Sequence, residues 1–404
     1  MRILLFAAFL AVRVFAQPLP LSSPAKEGFS PARLERLHRH FEQLAASGER
    51  PGAITLIVRN GRIVDWRTYG FRDVENRLPM EKDTIVHIYS MTKPVTSVAV
   101  MMLVEEGKIA LDDRVDKFIP EFKDLKVYKG GTVDRPELMD PARPMTVKHL
   151  LTHTSGLIYG WTNDNVSAMY RKADPLGAKS LKEFIERLSK LPLAFHPGER
   201  YEYSVSIDVL GYLVEVVSGE PFDQFVEKRI TGPLKMTDTH FRLPESKRPR
   251  LAKIYSRREG KLVAQPGLQT GGVPYGGMGL YSTIGDYARF AQMLLNGGEL
   301  EGVRLLGRKT VDLMMMNHLA GLPRPTIGGD DANGFGLGGA VRIDPARAGR
   351  PGSEGLFGWD GAASTYFRVD RKEKLALLLF LQWMPFDQPM LNLFETLVYQ
   401  ALED

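Results

Sequence analysis

The chain of 404 residues contains no cysteine. Disulfides, thiolate nucleophiles, zinc–thiolate sites and iron–sulfur clusters are therefore excluded. No internal repeat or low-complexity tract interrupts it. No G-x-S-x-G occurs, so the usual nucleophile turn of an α/β-hydrolase is missing. Neither sign of charge dominates: Lys plus Arg number 53 and Asp plus Glu 48, a formal net charge of +5. Spread over this length, the excess is no nucleic-acid signature. The chain is 44% hydrophobic and 25% charged. Those are ordinary globular values, which exclude a disordered chain and argue against a multi-span membrane protein. Its length corresponds to two or three ordinary domains. Histidines are few and scattered. His149 and His153 are four apart and are expected on one helix face, but no H-E-x-x-H pattern accompanies them, so no metal site is assigned.

The N-terminus pairs a basic start, Met1-Arg2, with an apolar run from Ile3 to Val12. Val14-Phe15-Ala16 then resembles a signal-peptidase site. The run is too short to span a bilayer as a helix. Arg13, just past the apolar core, weakens the pattern, and the alternative is a hydrophobic N-terminus on a cytoplasmic protein. We expect residues 1–16 to be a cleaved leader and the mature protein to be secreted or periplasmic.

Ser30-Pro31 opens a helix in which Leu34, Leu37, Phe41 and Leu44 share one face, with Gly48 as its stop. Ala53–Arg59 and Arg62–Tyr69 read as strands around Asn60-Gly61, the strongest short hairpin signal. Near the other end, Thr365–Val369 and Leu375–Gln382 read as strands around a polar turn, followed by an amphipathic stretch from Met390 to Leu402. Both chain ends thus carry a helix and an antiparallel hairpin. The middle reads as helices over Pro94–Glu106, Val147–Leu151, Leu181–Leu188, Asp208–Ser218, Phe222–Arg229 and Asp286–Leu295, several stopped by Gly107, Gly219 or Gly297. The implied class is α+β: one α+β lobe at about 27–92 and 285–404, and an inserted, mostly helical lobe at about 93–284. A cleft between lobes is a common ligand site. Gly/Pro-rich segments at Tyr128–Pro144, Gln265–Gly279 and Gly321–Gly339 are expected to be loops lining it.

Three motifs have the residue types for chemistry. Ser90-Met91-Thr92-Lys93 puts a hydroxyl and an amine one helical turn apart, ahead of an apolar helix. A buried lysine has a lowered pKa and can take or hold a proton near that hydroxyl. A helix N-terminus also favours the negative charge of an acyl-transfer transition state. Taken alone, these four residues better describe an N-cap serine before a solvated lysine. Tyr201 to Gly211 is a polar, aromatic turn entering a helix. Beside an ammonium the phenolate of Tyr203 becomes accessible and can shuttle a proton, though a core tyrosine at a helix start reads the same way. Gly358-Trp359-Asp360-Gly361-Ala362-Ala363 enters a strand whose small residues let a substrate approach the backbone; a packed Trp359 at a sheet edge is the plainer alternative.

In combination these resemble the serine β-lactamase and penicillin-binding-protein superfamily, and within it the family VIII carboxylesterases. The stretches that carry the resemblance are Tyr89–Pro94, Met145–Leu157, Tyr203–Gly211, Gly232–Thr239, Gly277–Thr283 and Gly358–Thr365, together spanning most of the chain from about residue 27. The resemblance implies a β-lactamase-like fold, an antiparallel sheet flanked by helices, with the active site between the lobes of a catalytic domain at 27–404. It implies Ser90 as nucleophile, Lys93 and Tyr203 as the proton-transfer pair, and the N–H groups of Ser90 and Ala362 as the oxyanion hole. Trp359, Asp360, Gly361 and Tyr159 are expected on the substrate side. No metal and no organic cofactor is needed. Trp359 stands where β-lactamases carry the Lys of a K-T-G strand, and Val205 stands where their Y-x-N pattern has an amide. Both departures point to neutral or apolar esters, and Asp360 is a third departure.

The expected activity is hydrolysis of short-chain carboxylic esters through an acyl-Ser90 enzyme, with a small-molecule ester as partner, β-lactams as a secondary one, and no nucleic acid or stable membrane span. A β-lactamase or D-Ala-D-Ala peptidase, an acyltransferase, and a non-catalytic ligand-binding homologue are the alternatives. The leader yields one prediction: N-terminal sequencing of the exported protein returns Gln17 as the first residue, and a Met1 start rejects the leader.

Overall fold

A computed structural model describes residues 18–267, 272–323 and 331–404. The expected leader at 1–16 lies outside them, as do residues 268–271 and 324–330 of the two later loop segments. Among the described residues no helix is long and apolar enough to cross a membrane.

The first helix, α1 (Pro31–Ala46), buries Leu34, Leu37, Phe41 and Leu44. Ser30 takes the extended N-cap backbone, but its side chain makes no capping bond; Pro31 in the first turn fixes the start. Next come β1 (Gly52–Arg59), β2 (Arg62–Asp73) and β3 (Leu78–Pro79), and from the far end of the chain β4 (Asn333–Phe335), β5 (Ala340–Arg342), β6 (Phe357–Gly361), β7 (Thr365–Asp370) and β8 (Leu375–Phe380). They form one eight-stranded sheet in the order β4-β5-β6-β7-β8-β1-β2-β3. All neighbours are antiparallel, and Ile54 pairs with Phe380 where the two chain ends meet. Asn60 and Gly61 both have positive φ, 52° and 76°, as a two-residue hairpin turn between right-twisted strands requires.

Every residue of β1 and β8 is buried, because the sheet is covered on both faces. One face carries α1 and the C-terminal helix α11 (Gln388–Tyr399). The other carries α2 (Thr92–Glu105) and α8 (Ile284–Leu295). Beyond them lie α3 (Val147–Leu151), α4 (Asn165–Ala173), α5 (Leu181–Leu188), α6 (Ser206–Ser218) and α7 (Phe222–Val226). Two short helices, α9 (Arg308–Met314) and α10 (Pro345–Ala348), complete the set. Helix α2 is buried from Thr92 to Leu103. It is covered on every side, polar Thr92, Lys93, Thr96 and Ser97 included, because it packs on α6 and touches β6.

Several elements depart from the sequence reading. Part of the expected loop at 128–144 folds as a hairpin, Val127–Gly131 with Pro136–Met139. Helix α4 carries too few apolar residues to stand out, yet Asp164 caps it by accepting from the Ser167 N–H at 2.8 Å. The hairpin Ile254–Arg258 with Lys261–Gln265 turns at Glu259-Gly260, without the Asn-Gly or Asp-Gly signal. His149 and His153 do not share a helix face. Helix α3 ends at Leu151, and His153 lies beyond it with φ 53°.

A buried ion network ties α11 to the sheet. Glu395, 1% exposed, accepts from Arg342 at 2.9 Å, from Arg350 at 3.2 Å and from the Tyr366 hydroxyl at 2.6 Å. Removing one member of such a group strands the other charge in the core. Glu395→Ala is expected to lower unfolding stability by about 3–5 kcal/mol, read by urea denaturation; a loss under about 1 kcal/mol contradicts this account.

Candidate active site

Ser90 lies in the single turn Tyr89–Met91 that runs directly into α2. Tyr89 has φ 44°, an uncommon backbone for an aromatic residue, and it sits immediately before the hydroxyl. Lys93 is the second residue of α2 and is fully buried. The spacing works as the sequence implied: one turn of helix brings Lys93 Nζ to 3.2 Å from Ser90 Oγ. The ammonium group also donates to the Gly277 carbonyl at 2.7 Å and to the Tyr159 hydroxyl at 3.1 Å. Three N–H donors thus meet three acceptors, which is the full capacity of a lysine.

Tyr203 comes from the turn before α6. Its hydroxyl donates to Ser90 Oγ at 2.6 Å and accepts from Trp359 Nε1 at 3.2 Å. Lys93 Nζ stands 4.6 Å from the centre of the Tyr203 ring. Residue 203 is held from behind by His153. The His153 carbonyl accepts from the Glu202 N–H at 2.9 Å, and its Nδ1 accepts from the Ser204 N–H at 3.2 Å. The two hydrogen bonds bracket Tyr203. Burial, and secondarily Lys93, hold the His153 imidazole well below its usual pKa. The neutral ring therefore keeps Nδ1 free to accept.

Asp208, on the first turn of α6, is fully buried. It accepts from the Gly277 N–H at 2.8 Å and from the Tyr159 hydroxyl at 3.4 Å. Gly277 and Tyr159 are the same two groups that receive Lys93. A side chain at Gly277 would start 2.4 Å from the Asp208 carboxylate, so only glycine fits. Burial pushes the Asp208 carboxyl up to about 6, against the opposing pull of Lys93.

The remaining expected residues divide. Trp359 faces the cleft, with ring centroids 5.3 Å from Tyr203 and 5.2 Å from Phe335. Gly361 is buried. A side chain there would meet Thr365 Oγ1 at 2.1 Å and the Ile88 carbonyl at 2.4 Å, so the end of β6 packs directly on the backbone leading to Ser90. Gly361 thus acts through this close approach, which carries the exposed Ala362 turn alongside the nucleophile segment. Asp360 corrects the sequence reading. Successive strand residues point to opposite faces, and with Trp359 toward the cleft Asp360 is turned the other way. It pairs with Arg368 at 2.6 and 3.0 Å, beneath the face covered by the terminal helices. It is a structural ion pair and has no place on the substrate side. Asp208, the His153 bracket and the Gly277 carbonyl were not identified from sequence, because each acts through partners remote in the chain.

The β-lactamase family profile matches residues 37–400. The chain belongs to the β-lactamase family. A Mycobacterium tuberculosis protein is 35% identical over 364 residues, 85% of this chain and 89% of that one. Esterase EstB of Burkholderia gladioli is 32% identical over 370 residues, again covering 85% and 89%. Among solved structures, the unliganded, selenomethionyl simvastatin synthase of Aspergillus terreus superposes with a TM-score of 0.82 at 25% identity, covering 92% of this chain and 98% of that one. The fold is thus β-lactamase-like, as its large antiparallel sheet between helices requires.

The raised Asp208 carboxyl carries a signed consequence. Its folded pKa exceeds that of a free carboxyl, so the native state holds this proton more tightly than the unfolded chain. Its stabilising contribution is complete below about pH 4 and is lost as pH rises through about 6. Asp208→Asn removes this titration. Wild-type stability minus that of the variant is expected to fall between pH 4 and pH 7, measured by denaturation at each pH; a difference that rises over that window refutes the assignment.

Proposed function

We propose that the protein is a serine carboxylesterase that forms an acyl-enzyme on Ser90. One observation carries this reading: Ser90 Oγ lies 2.6 Å from the Tyr203 hydroxyl and 3.2 Å from Lys93 Nζ. In the reacting form Tyr203 is the phenolate, the contact then runs from the Ser90 O–H to the Tyr203 oxygen, and the serine proton moves along it as the serine attacks. The buried amine beside them faces the negative charge that passes between the two oxygens during the transfer. Ser90 Oγ bonds to the ester carbonyl carbon. The resulting oxyanion is held by the N–H groups of Ser90 and Ala362. The proton passes through the Lys93–Tyr203 pair to the alcohol oxygen, the C–O bond breaks, and the alcohol leaves. Water then attacks the acyl-Ser90 carbonyl, gives its proton to the same pair, and the acid departs with Ser90 restored.

The substrates favoured are neutral esters of short acyl chains. Trp359 occupies the strand position from which a lysine would pair with a β-lactam carboxylate, and Val205 offers no amide to hold its side chain. The similarity to an esterase supports the same reading. β-Lactams share the acylation step and are expected to be poor substrates. The basic start and apolar run of residues 1–16 support a location outside the cytoplasm for this activity.

The test uses p-nitrophenyl butyrate beside nitrocefin. Ser90→Ala is expected to reduce ester hydrolysis to background. Lys93→Ala and Tyr203→Phe should each lose about 10²–10⁴-fold in kcat, without adding in the double variant because the three act as a unit. Wild-type-like hydrolysis by Ser90→Ala rejects the proposal. Rapid nitrocefin turnover with poor ester turnover moves it to a β-lactamase.

A further inference from the structure

Among the described residues Trp161 is the most exposed of the large hydrophobic side chains, at 72%. A loose surface tryptophan would need no explanation, but this one is fixed. Arg171 donates through one nitrogen to the Gly160 carbonyl and to the Thr162 carbonyl, both at 2.6 Å. Those carbonyls belong to the residues on either side of Trp161. The Thr162 hydroxyl is anchored in turn on Ser167 Oγ at 2.6 Å. The indole lies flat on Tyr159, with centroids 4.4 Å apart and planes 6° from parallel. Tyr159 is the residue whose hydroxyl meets Lys93. Trp161 is therefore stacked on a side chain of the site, clamped on both flanks of its backbone, and open to solvent on its outer side.

Its place relative to the reacting atoms follows from the proposed chemistry, on which this inference rests. The leaving alcohol must take its proton from the Tyr203 hydroxyl. Two indoles lie near the Tyr203 ring, Trp161 at 5.9 Å and Trp359 at 5.3 Å between centroids. Beside Trp161 opens a cavity of about 550 Å³, lined in part by Tyr159, Tyr170, Pro175, Leu176 and Val205. That volume suits a ligand group far larger than a short alkyl chain. Val205, the residue standing in place of the β-lactamase amide, forms part of its wall. Asn163, Arg171 and Asp174 also line it, with Arg171 committed to the Gly160 and Thr162 carbonyls, so the aromatic and aliphatic side chains share the wall with polar ones.

We propose that Trp161 is a substrate-binding platform for the alcohol half of the ester, and that the preferred alcohols carry a planar, uncharged aromatic ring system. A ring laid against the fixed indole gains offset stacking beyond its area burial. Because the indole is held in place before binding, little ordering is needed when the substrate arrives. The acyl half stays short and lies toward the Ser90–Ala362 side.

The experiment compares acetates that share the acyl group and leave as primary alcohols: 2-naphthylmethyl acetate and cyclohexylmethyl acetate. The readout is the ratio of their kcat/KM values in wild type, Trp161→Ala, Trp161→Leu and Trp161→Phe, with thermal melting to verify folding. The wild-type ratio is expected to favour the naphthyl ester. Trp161→Ala and Trp161→Leu should lower that ratio about tenfold, chiefly through KM, and Trp161→Phe should keep it within about threefold. Should the alanine variant fail to fold, the leucine variant, which retains apolar bulk, decides alone. An unchanged ratio, or an equal loss on both esters, overturns the platform while leaving the esterase reading standing. Failure of the wild type to hydrolyse either ester, or full activity in Ser90→Ala, overturns both.

Discussion

A primary amine at 0% exposure needs its hydrogen bonds filled by the protein, and the surroundings of Lys93 are organised around that requirement. Its three acceptors come from three separate parts of the chain: Ser90 on the preceding turn, Tyr159 on the loop after α3, and Gly277 on the segment before α8. Asp208 in turn accepts from the Gly277 N–H and from the same Tyr159 hydroxyl. The amine, the phenol, the peptide and the carboxylate therefore form one closed set. Displacing any member leaves another buried polar group short of a partner. The position of the amine relative to Ser90 is thus fixed by the packing of α2 against α6 and the loops, more than by the lysine side chain itself.

The sheet serves the same centre from the opposite side. Its middle is built from both ends of the chain, and β6 ends where Gly361 meets the backbone of Ile88. A carbonyl packed against a glycine carbon sets the spacing between the β6 turn and Ser90. Trp359, two residues earlier on the same face, then reaches the Tyr203 hydroxyl. The strand consequently delivers both a backbone segment and an indole to the proposed proton-transfer pair. Asp360 between them is turned to the terminal helices and binds Arg368, which helps keep the strand in register.

Local patterns were legible in the sequence. The Asn60-Gly61 hairpin, the apolar face of α1, the glycine stops and the Ser90–Lys93 spacing each depend on residues within a few positions of one another. Tyr203 was reachable only through the resemblance, since nothing local says which tyrosine meets Ser90 113 positions away. The Asp208–Gly277 bond and the His153 bracket were beyond reach for the same reason: each links segments that only the tertiary fold brings together. The misreading of Asp360 is of a different kind. Strand alternation alone forbids neighbouring residues from sharing a face, so placing Trp359 in the cleft already excluded Asp360. His153 leaves the expected helix face because α3 ends at Leu151; it takes a left-handed backbone, and its ring meets Ser204.

The departures from the β-lactamase pattern form a consistent exchange. A lysine at position 359 would add a charge suited to an anionic substrate; the indole there adds apolar area and a single N–H, which is already committed to Tyr203. An amide at 205 would add donors to the cleft; valine instead continues the wall under Trp161. Both changes leave Ser90, Lys93 and Tyr203 themselves in place, so on the proposed function the means of attacking a carbonyl is retained while contacts suited to a β-lactam are lost. Recognition by rings and aliphatic walls is weakly directional, and its strength grows with the apolar area the substrate brings. On the proposed function, that rule puts the discrimination between esters in the shape and flatness of the bound group, and leaves the polar centre to handle whichever ester carbonyl those walls deliver.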